Sequence, residues 1–227
     1  MKDRGKPRWP GVMGCFFATF LLAGTGAAYV LSYANERSQI SRGISNCHQI
    51  VFALRMYASD HDGKYPDASL TNPEYSNDVF RVLFKEGTVK NEYIFGCAMS
   101  PFRPDGDYGS RPDFKEALEE GENHWAMTAG LGASMAADIP LVYENASFLS
   151  KWPPTWNSKS DGKKFGGRTW GNGVIVGLND GSVSHQPVQF QGARHTGLAK
   201  GKDNKDLFEA AVTPPGSPKL KVLDVFR

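Results

Sequence analysis

The sequence predicts an α+β fold in which one long N-terminal helix packs on an antiparallel β-sheet. Three observations predict it: an apolar N-terminal stretch that continues as an amphipathic helical pattern, several short strand-like segments, and a strong hairpin signal near residue 180. Helices alternating regularly with strands, the pattern of doubly wound folds, do not occur. The 227 residues, 40% of them hydrophobic, suffice for one domain with an N-terminal extension.

The N-terminal stretch has the length and composition of a membrane-spanning helix. No charged residue occurs between Arg8 and Glu36. As a helix, residues 11–34 would extend about 36 Å, more than the roughly 30 Å of a bilayer core. The basic leader, residues 1–10, favours a cytoplasmic N-terminus and an exported domain over residues 35–227. We therefore expect a single-pass membrane protein whose globular head lies on the exported side.

Two alternatives to a retained helix stay open. A cleaved secretory signal would use the small residues at 23–27, and a lipoprotein anchor would use Cys15, although Cys15 precedes most of the apolar run. In a retained helix, small side chains would let neighbouring helices approach closely in lipid. These packing residues are Gly14, Ala18, Gly24 and Ala28.

The helix is predicted to continue beyond the membrane to about residue 60. Apolar residues three or four positions apart form one stripe, which comprises Ile40, Ile44, Cys47, Val51, Leu54 and Ala58. The opposite side is polar and includes Arg42, Gln49 and Arg55. Asp62-Gly63 and Pro66 are stop signals, so we expect one helix of about 45–50 residues, close to 70 Å long.

Shorter elements are predicted after the long helix. The expected helices are Asp78–Glu86, capped by Ser76 or Asn77, and the polar Phe114–Glu120. The expected strands are Glu92–Cys97, His124–Thr128 and Ile139–Tyr143, followed by a hairpin over Gly173–His185. Asp180-Gly181 favours the tight turn of that hairpin. Residues 150–172 read as an irregular loop, and residues 219–227 as a last strand or a flexible end.

Several of these segments resemble one protein family. The block Ile44–Pro66, ISNCHQIVFALRMYASDHDGKYP, resembles the segment that follows the membrane helix in type IV pilin-like proteins. The likeness is strongest to type II secretion pseudopilins of Planctomycetes and Verrucomicrobia. Weaker matches are Phe95-Gly96-Cys97, the segment Ile139–Glu144 and the segment Val174–Val183.

The resemblance implies a non-enzymatic subunit of a type II secretion or type IV pilus-like assembly. Its partners would be other pilin-like subunits or secretion machinery, together with inner-membrane lipid. The resemblance also implies a single-pass protein of a bacterial inner membrane, with its head in the periplasm or at the cell surface. The family is processed at a glycine and carries glutamate at the fifth mature position. Processing here would fall after Gly11 or Gly14, which places Phe16 or Thr19 there instead. The missing glutamate fits a tip-like minor subunit or a relative that stays in the membrane. The alternative function is a solitary membrane-tethered binding or adhesion module.

Two sites follow from individual residues. Cys47 and Cys97 are expected on the exported side, where a disulfide would tie the helix to a strand; two buried thiols are the alternative. Asp60 and Asp62 form a D-x-D-G turn that has calcium-ligand character, although a helix-ending turn is the simpler interpretation. Beyond calcium, we expect no cofactor.

Other functions have little support in the sequence. The five His never show zinc-ligand spacing, and neither a nucleophile elbow nor a P-loop occurs, so an enzyme such as a secreted hydrolase is the weakest class. A net charge of only +2 disfavours nucleic-acid binding. Trp152, Trp156, Trp170 and Phe165 form either an exposed recognition surface or, more commonly for aromatic residues, a cover over the sheet.

Overall fold

The structure is a computed structural model that describes residues 10–97, 100–146, 152–159, 173–211, 215–216 and 219–226, with side chains from residue 30 onward. The chain divides into two units, residues 1–38 and 39–227. The described α-helices are α1 (Pro10–Asp60), α2 (Ser76–Lys85) and α3 (Leu207–Ala210), and 3-10 helices span Pro66–Ser69 and Glu92–Phe95. The described strands are β1 (Trp125–Ala129), β2 (Pro140–Glu144), β3 (Gly173–Leu178), β4 (Val183–Pro187) and β5 (Lys221–Leu223).

Helix α1 is continuous over 51 residues, which confirms the predicted long helix. It ends at the predicted stop signal. Asp62 and Gly63 adopt left-handed backbone angles, with φ of 53° and 75°. The Gly63 N–H donates to the carbonyl of Ala58 at 2.8 Å, which satisfies one of the open carbonyls at the helix end. Pro66 then opens a 3-10 turn, so the chain cannot continue as α1.

The predicted membrane segment, residues 11–34, falls mostly where side chains lie outside the described residues. The same holds for the processing glycines, Gly11 and Gly14, and for the other packing residues, Ala18, Gly24 and Ala28. Among the helices as far as they are described, none combines the length and hydropathy needed to cross a bilayer. Val30, Leu31 and Tyr33, which are described, are all exposed. The membrane segment therefore stays a prediction.

The five strands form one antiparallel sheet in the order β4-β3-β2-β1-β5, which confirms the α+β class. Strands β1 and β2 each begin one residue later than predicted, and β3 and β4 form the predicted hairpin. Gly181 supplies the positive φ of its turn, at 99°. The C-terminal tail contains a strand, since β5 (Lys221–Leu223) pairs with β1 through Met127 and Leu223.

The apolar stripe of α1 packs on one face of the sheet. Cys47, Val51, Leu54 and Ala58 are fully buried, in a cluster that includes Ile175 and other sheet residues. Two glycines permit a close approach here. A Cβ on Gly43 would lie 2.5 Å from Ile175 Cδ1, and a Cβ on Gly177 would lie 2.6 Å from Val51 Cγ2. Gly43 of α1 and Gly177 of β3 thus allow the helix to lie close against that strand.

The other face of the sheet is also covered, which the sequence did not predict. A second cluster joins outward-facing residues of the sheet to the C-terminal half of the chain, and it comprises Ala126, Tyr143, Trp156, Val174, Val176, Val188, Leu198, Phe208 and Val222. Trp156 is fully buried, so it covers the sheet and does not form a recognition surface. Trp152 is half-buried against the same cluster, whereas Phe165 and Trp170 lie outside the described residues.

Two predicted elements are wrong. The expected strand Glu92–Cys97 is instead a 3-10 turn, which the Asn91 side chain begins by accepting a hydrogen bond from the Tyr93 N–H. The expected helix Phe114–Glu120 is a series of turns, because Phe114 and Leu118 have positive φ. The Leu118 N–H donates to the Glu92 carboxylate instead of to a helical carbonyl.

Two smaller expectations also need correction. Helix α2 was predicted to be capped by Ser76 or Asn77, but both lie inside it and Tyr75 precedes the first turn. The Asp78 carboxylate accepts the Tyr75 N–H at 3.1 Å and closes that end. Arg55, expected on the polar side of α1, is half-buried, and its guanidinium donates to the Asn179 carbonyl.

Candidate functional site

Cys47 and Cys97, the expected disulfide partners, are both buried thiols, and no disulfide joins these two described residues. Each sulfur lies beside a glycine of the helix–sheet interface. Cys47 Sγ lies 3.8 Å from the Val142 carbonyl, beside Gly177, whereas Cys97 Sγ lies beside Gly43. Burial, with the nearby charge of Glu144, raises the pKa of the Cys47 thiol. The disulfide between them therefore stays a prediction.

Cys97 belongs to a buried polar cluster with His124 and Glu144. One ligand-type atom from each residue, a sulfur, an imidazole nitrogen and a carboxylate oxygen, lies within 4.8 Å of the other two. All three side chains are at most 5% exposed. A thiol, an imidazole and a carboxylate together are a characteristic ligand set of transition metals.

The sheet register brings these residues together. Trp125 of β1 pairs with Glu144 of β2, so His124, one residue earlier, lies at the same end of the two strands. The backbone N–H of His124 donates to the Phe95 carbonyl at 2.8 Å, which holds the segment leading to Cys97 against β1. Residues distant in sequence therefore meet at one end of the sheet, on the side that faces α1.

Hydrogen bonds fix both partners of the central pair. His124 Nε2 lies 3.1 Å from Glu144 Oε1, and His124 Nδ1 lies 2.8 Å from Ser100 Oγ. The second Glu144 oxygen accepts the Ile175 N–H at 2.9 Å. Asn145 Nδ2 lies 3.0 Å from the His124 carbonyl oxygen and thereby holds the backbone beside the ring. The imidazole is therefore fixed in position and orientation before any ligand arrives.

Ser100, His124 and Glu144 also form a linear chain that resembles a nucleophile relay. With the proton on Nε2 donated to Glu144, Nδ1 would accept the Ser100 hydroxyl proton. Ser100 is only 3% exposed, however, and its Oγ also accepts the Phe102 N–H at 3.1 Å. A substrate carbonyl could not reach that oxygen, so the geometry favours Ser100 as a positioning partner of the imidazole.

A surface cleft of about 310 Å³ reaches the cluster at Cys97. Its wall includes Gly43 and Asn46 of α1, and Phe102 and Arg103 from the following loop. The Asn46 amide donates to the Gly96 carbonyl at 3.1 Å, which fixes the backbone next to Cys97. Cys97 is thus the member of the cluster that adjoins the cleft.

A second cluster contains only carboxylates: Glu92, Asp105 and Glu122. Burial, with the negative charges of Glu92 and Asp105, raises the pKa of Glu122 to about 7. Burial likewise raises the pKa of Glu92. Glu92 accepts the N–H groups of Leu118 and Gly106, and Glu122 accepts that of Glu119. These bonds hold the irregular segment that replaces the predicted polar helix, so the cluster already has a structural role.

The proposed calcium residues Asp60 and Asp62 lie at the end of α1, and both are exposed. Neither belongs to a group of three metal-ligand side chains among the described residues. Asp180 accepts hydrogen bonds from the backbone and hydroxyl of Ser182, as a hairpin-turn residue does. Calcium binding by Asp60 and Asp62 therefore stays a prediction, and the structure adds no third ligand to it.

The end of the long helix block and the hairpin turn meet in space. The buried Tyr65 hydroxyl donates to Asn179 Oδ1 at 2.7 Å, which links the end of the helix block to the hairpin turn. The Asn179 amide in turn donates to the carbonyls of Gly132, Met135 and Ala136, at distances of 3.1–3.3 Å. Burial raises the pKa of Tyr65 to about 12, so its hydroxyl remains a donor at neutral pH. This contact locks the helix terminus to the sheet.

Residue spacing alone provides little indication of the Cys97-His124-Glu144 cluster. Its members lie at positions 97, 124 and 144, without the short spacing of a zinc motif. One signal was present: His124 opens one predicted strand and Glu144 follows the next, so an antiparallel pairing of the two strands would place these residues together.

Comparison of the chain with protein-family models, curated proteins and solved structures finds no match.

Proposed function

We propose that the chain is a non-enzymatic, membrane-anchored pilin-like subunit of a type II secretion or type IV pilus-like assembly. The observation that carries the proposal is the 51-residue helix α1. Its later residues pack on an antiparallel sheet, while the residues between Arg8 and Glu36 include no charged side chain. A helix with these two parts suits a subunit that is stored in lipid and presents a folded head outside.

The exposed residues of α1 support association with other helices. Val30, Leu31, Phe52 and Met56 are 43–69% exposed, although each is large and apolar. Adjoining exposed apolar side chains on one surface often mark a contact with lipid or a protein partner, whereas single exposed ones are normal. Phe52 and Met56 also line a shallow groove of about 200 Å³ with residues after α2, including Val89 and Ile94. We infer that these positions contact neighbouring subunits.

In-cell photocrosslinking tests the assembly. A photoreactive amino acid replaces Phe52 or, in a matched control, Lys115, whose charged side chain is 79% exposed. We expect crosslinks to other pilin-like chains from position 52 and far fewer from position 115. Equal, non-specific crosslinking from both positions would contradict assembly through α1. Recovery of the uncrosslinked chain alone from position 52 would favour the solitary tethered binding module.

N-terminal sequencing of the membrane-isolated chain tests the processing. A start at Val12 corresponds to cleavage after Gly11, and a start at Cys15 to cleavage after Gly14. An intact Met1 corresponds to a subunit that stays in the membrane without processing. A start at residues 24–28 would identify a cleaved secretory signal and would remove the membrane anchor from the proposal.

A further inference from the structure

We propose that Cys97, His124 and Glu144 bind one divalent transition-metal ion of the Zn²⁺ type. Among the described residues, they form the one group that offers sulfur, nitrogen and oxygen ligands together. All three are buried, so the site would be shielded from water on most sides. Nothing in the proposed assembly function requires this ion, and the inference stands independently of it.

The distances fit a tetrahedral site. In such a zinc site, ligand atoms about 2.0–2.3 Å from the ion lie about 3.3–3.6 Å from one another. His124 Nε2 and Glu144 Oε1 are already 3.1 Å apart, and the sulfur lies within 4.8 Å of the ligand atoms of both residues. Side-chain rotations that move the sulfur by about 1 Å would bring these distances into the tetrahedral range, and Nε2 is the nitrogen that faces Glu144.

The charges also fit. A Cys97 thiolate and a Glu144 carboxylate together balance a divalent cation, and the imidazole binds in its neutral form. A buried site without net charge avoids the large penalty of an unpaired charge away from water. Calcium would need six to eight oxygen ligands, and this site offers one carboxylate, so a sulfur- and nitrogen-preferring ion fits better.

The surroundings provide an outer shell for the ligands. With Nε2 on the metal, Nδ1–H would donate to Ser100 Oγ, 2.8 Å away, and the Asn145 amide nitrogen, 3.1 Å from Nδ1, would turn aside. The Ile175 N–H holds the second Glu144 oxygen at 2.9 Å. Such outer contacts orient ligands and tune metal affinity. Three protein ligands leave one tetrahedral position open, and the cleft that reaches Cys97 gives a water molecule or small ligand a route to it.

Cobalt titration of the full-length chain, purified under reducing conditions, tests the site. We expect one Co²⁺ to bind per chain, with a thiolate-to-cobalt charge-transfer band and with release of protons. The band should disappear when added Zn²⁺ displaces the cobalt. Cys97→Ser should abolish the band. Cys47→Ser removes the neighbouring buried thiol and should leave the band intact. Ser100→Ala should keep the band but weaken binding about 10-fold, as removal of an outer-shell partner does.

A second measurement does not depend on whether a variant folds. X-ray absorption of the zinc-loaded wild-type chain should show one sulfur and two or three nitrogen or oxygen neighbours around the ion. A first shell without sulfur would overturn the proposal. So would loss of the cobalt band in Cys47→Ser, absence of stoichiometric binding by the reduced wild-type chain, or isolation of the chain with Cys47 and Cys97 joined and no metal.

Discussion

Gly43→Ala tests the close approach of α1 to the sheet. A Cβ at this position would lie 2.5 Å from Ile175 Cδ1, about 1 Å closer than carbon atoms normally pack. Overpacking of this kind costs about 1–3 kcal/mol, while alanine is favoured over glycine in a helix by about 1 kcal/mol. In the wild-type background we therefore expect a net loss of about 0–2 kcal/mol.

The Ile175→Val background removes the atom that the new methyl group would strike. This change alone should cost about 0.5–1.5 kcal/mol. In that background Gly43→Ala should become stabilising by up to about 1 kcal/mol, because only the helix-propensity gain remains. The two substitutions should thus be coupled by about 1–3 kcal/mol, a large value for a single pair of residues.

Urea unfolding of the full-length chain in detergent measures this cycle, with the fluorescence of the buried Trp125 and Trp156 as the signal. Ser45→Ala is the matched control, since Ser45 is exposed on the same helix and should have the same small effect in both backgrounds. If Gly43→Ala has the same effect with Ile175 and with Val at that position, within about 0.5 kcal/mol, the helix does not approach β3 as described.

Two further results are expected. Tyr65→Phe should destabilise the head by about 1–3 kcal/mol, because it leaves the buried Asn179 Oδ1 without the Tyr65 donor. The control Tyr93→Phe, at an exposed tyrosine, should cost less than about 0.5 kcal/mol. Equal effects of the two changes in denaturant unfolding would refute the stabilising role of the Tyr65 hydroxyl. Glu122 has a pKa of about 7 in the folded chain against an ordinary 4.5, so the folded state binds more protons between these values and stability should fall as pH rises from 4.5 to 7. Glu122→Gln should flatten this dependence in unfolding measured across that range, and an unchanged slope would show that Glu122 is not buried as described.

Local patterns predicted the regular elements of the fold well. The stripe of α1 follows from residue spacing, the strand-like segments locate β1 to β4, and Asp180-Gly181 specifies its turn through backbone angles. The segment after Glu92 could not be predicted in the same way. Its conformation depends on a buried carboxylate that accepts the N–H groups of Gly106 and Leu118, contacts that no local pattern encodes.

The candidate metal site was beyond the sequence for a similar reason. His124 and Glu144 become neighbours through the β1–β2 register, and Cys97 joins them because the Phe95 carbonyl accepts the His124 N–H. Sequence patterns also did not predict that the second face of the sheet is covered. Trp156 and Phe208 reach it from segments with no strand or long helix of their own, so hydrophobic periodicity gave no signal there.

Alkaline extraction of cell membranes tests the central claim most directly, that residues 11–34 anchor the chain in a bilayer. Integral proteins stay in the membrane pellet at high pH, while peripheral and soluble proteins are released. We expect the full-length chain in the pellet, and a variant with Leu21→Arg and Leu22→Arg in the supernatant, since each arginine costs about 2.5–3.5 kcal/mol at the centre of a span. Release of the unaltered chain into the supernatant would contradict the account.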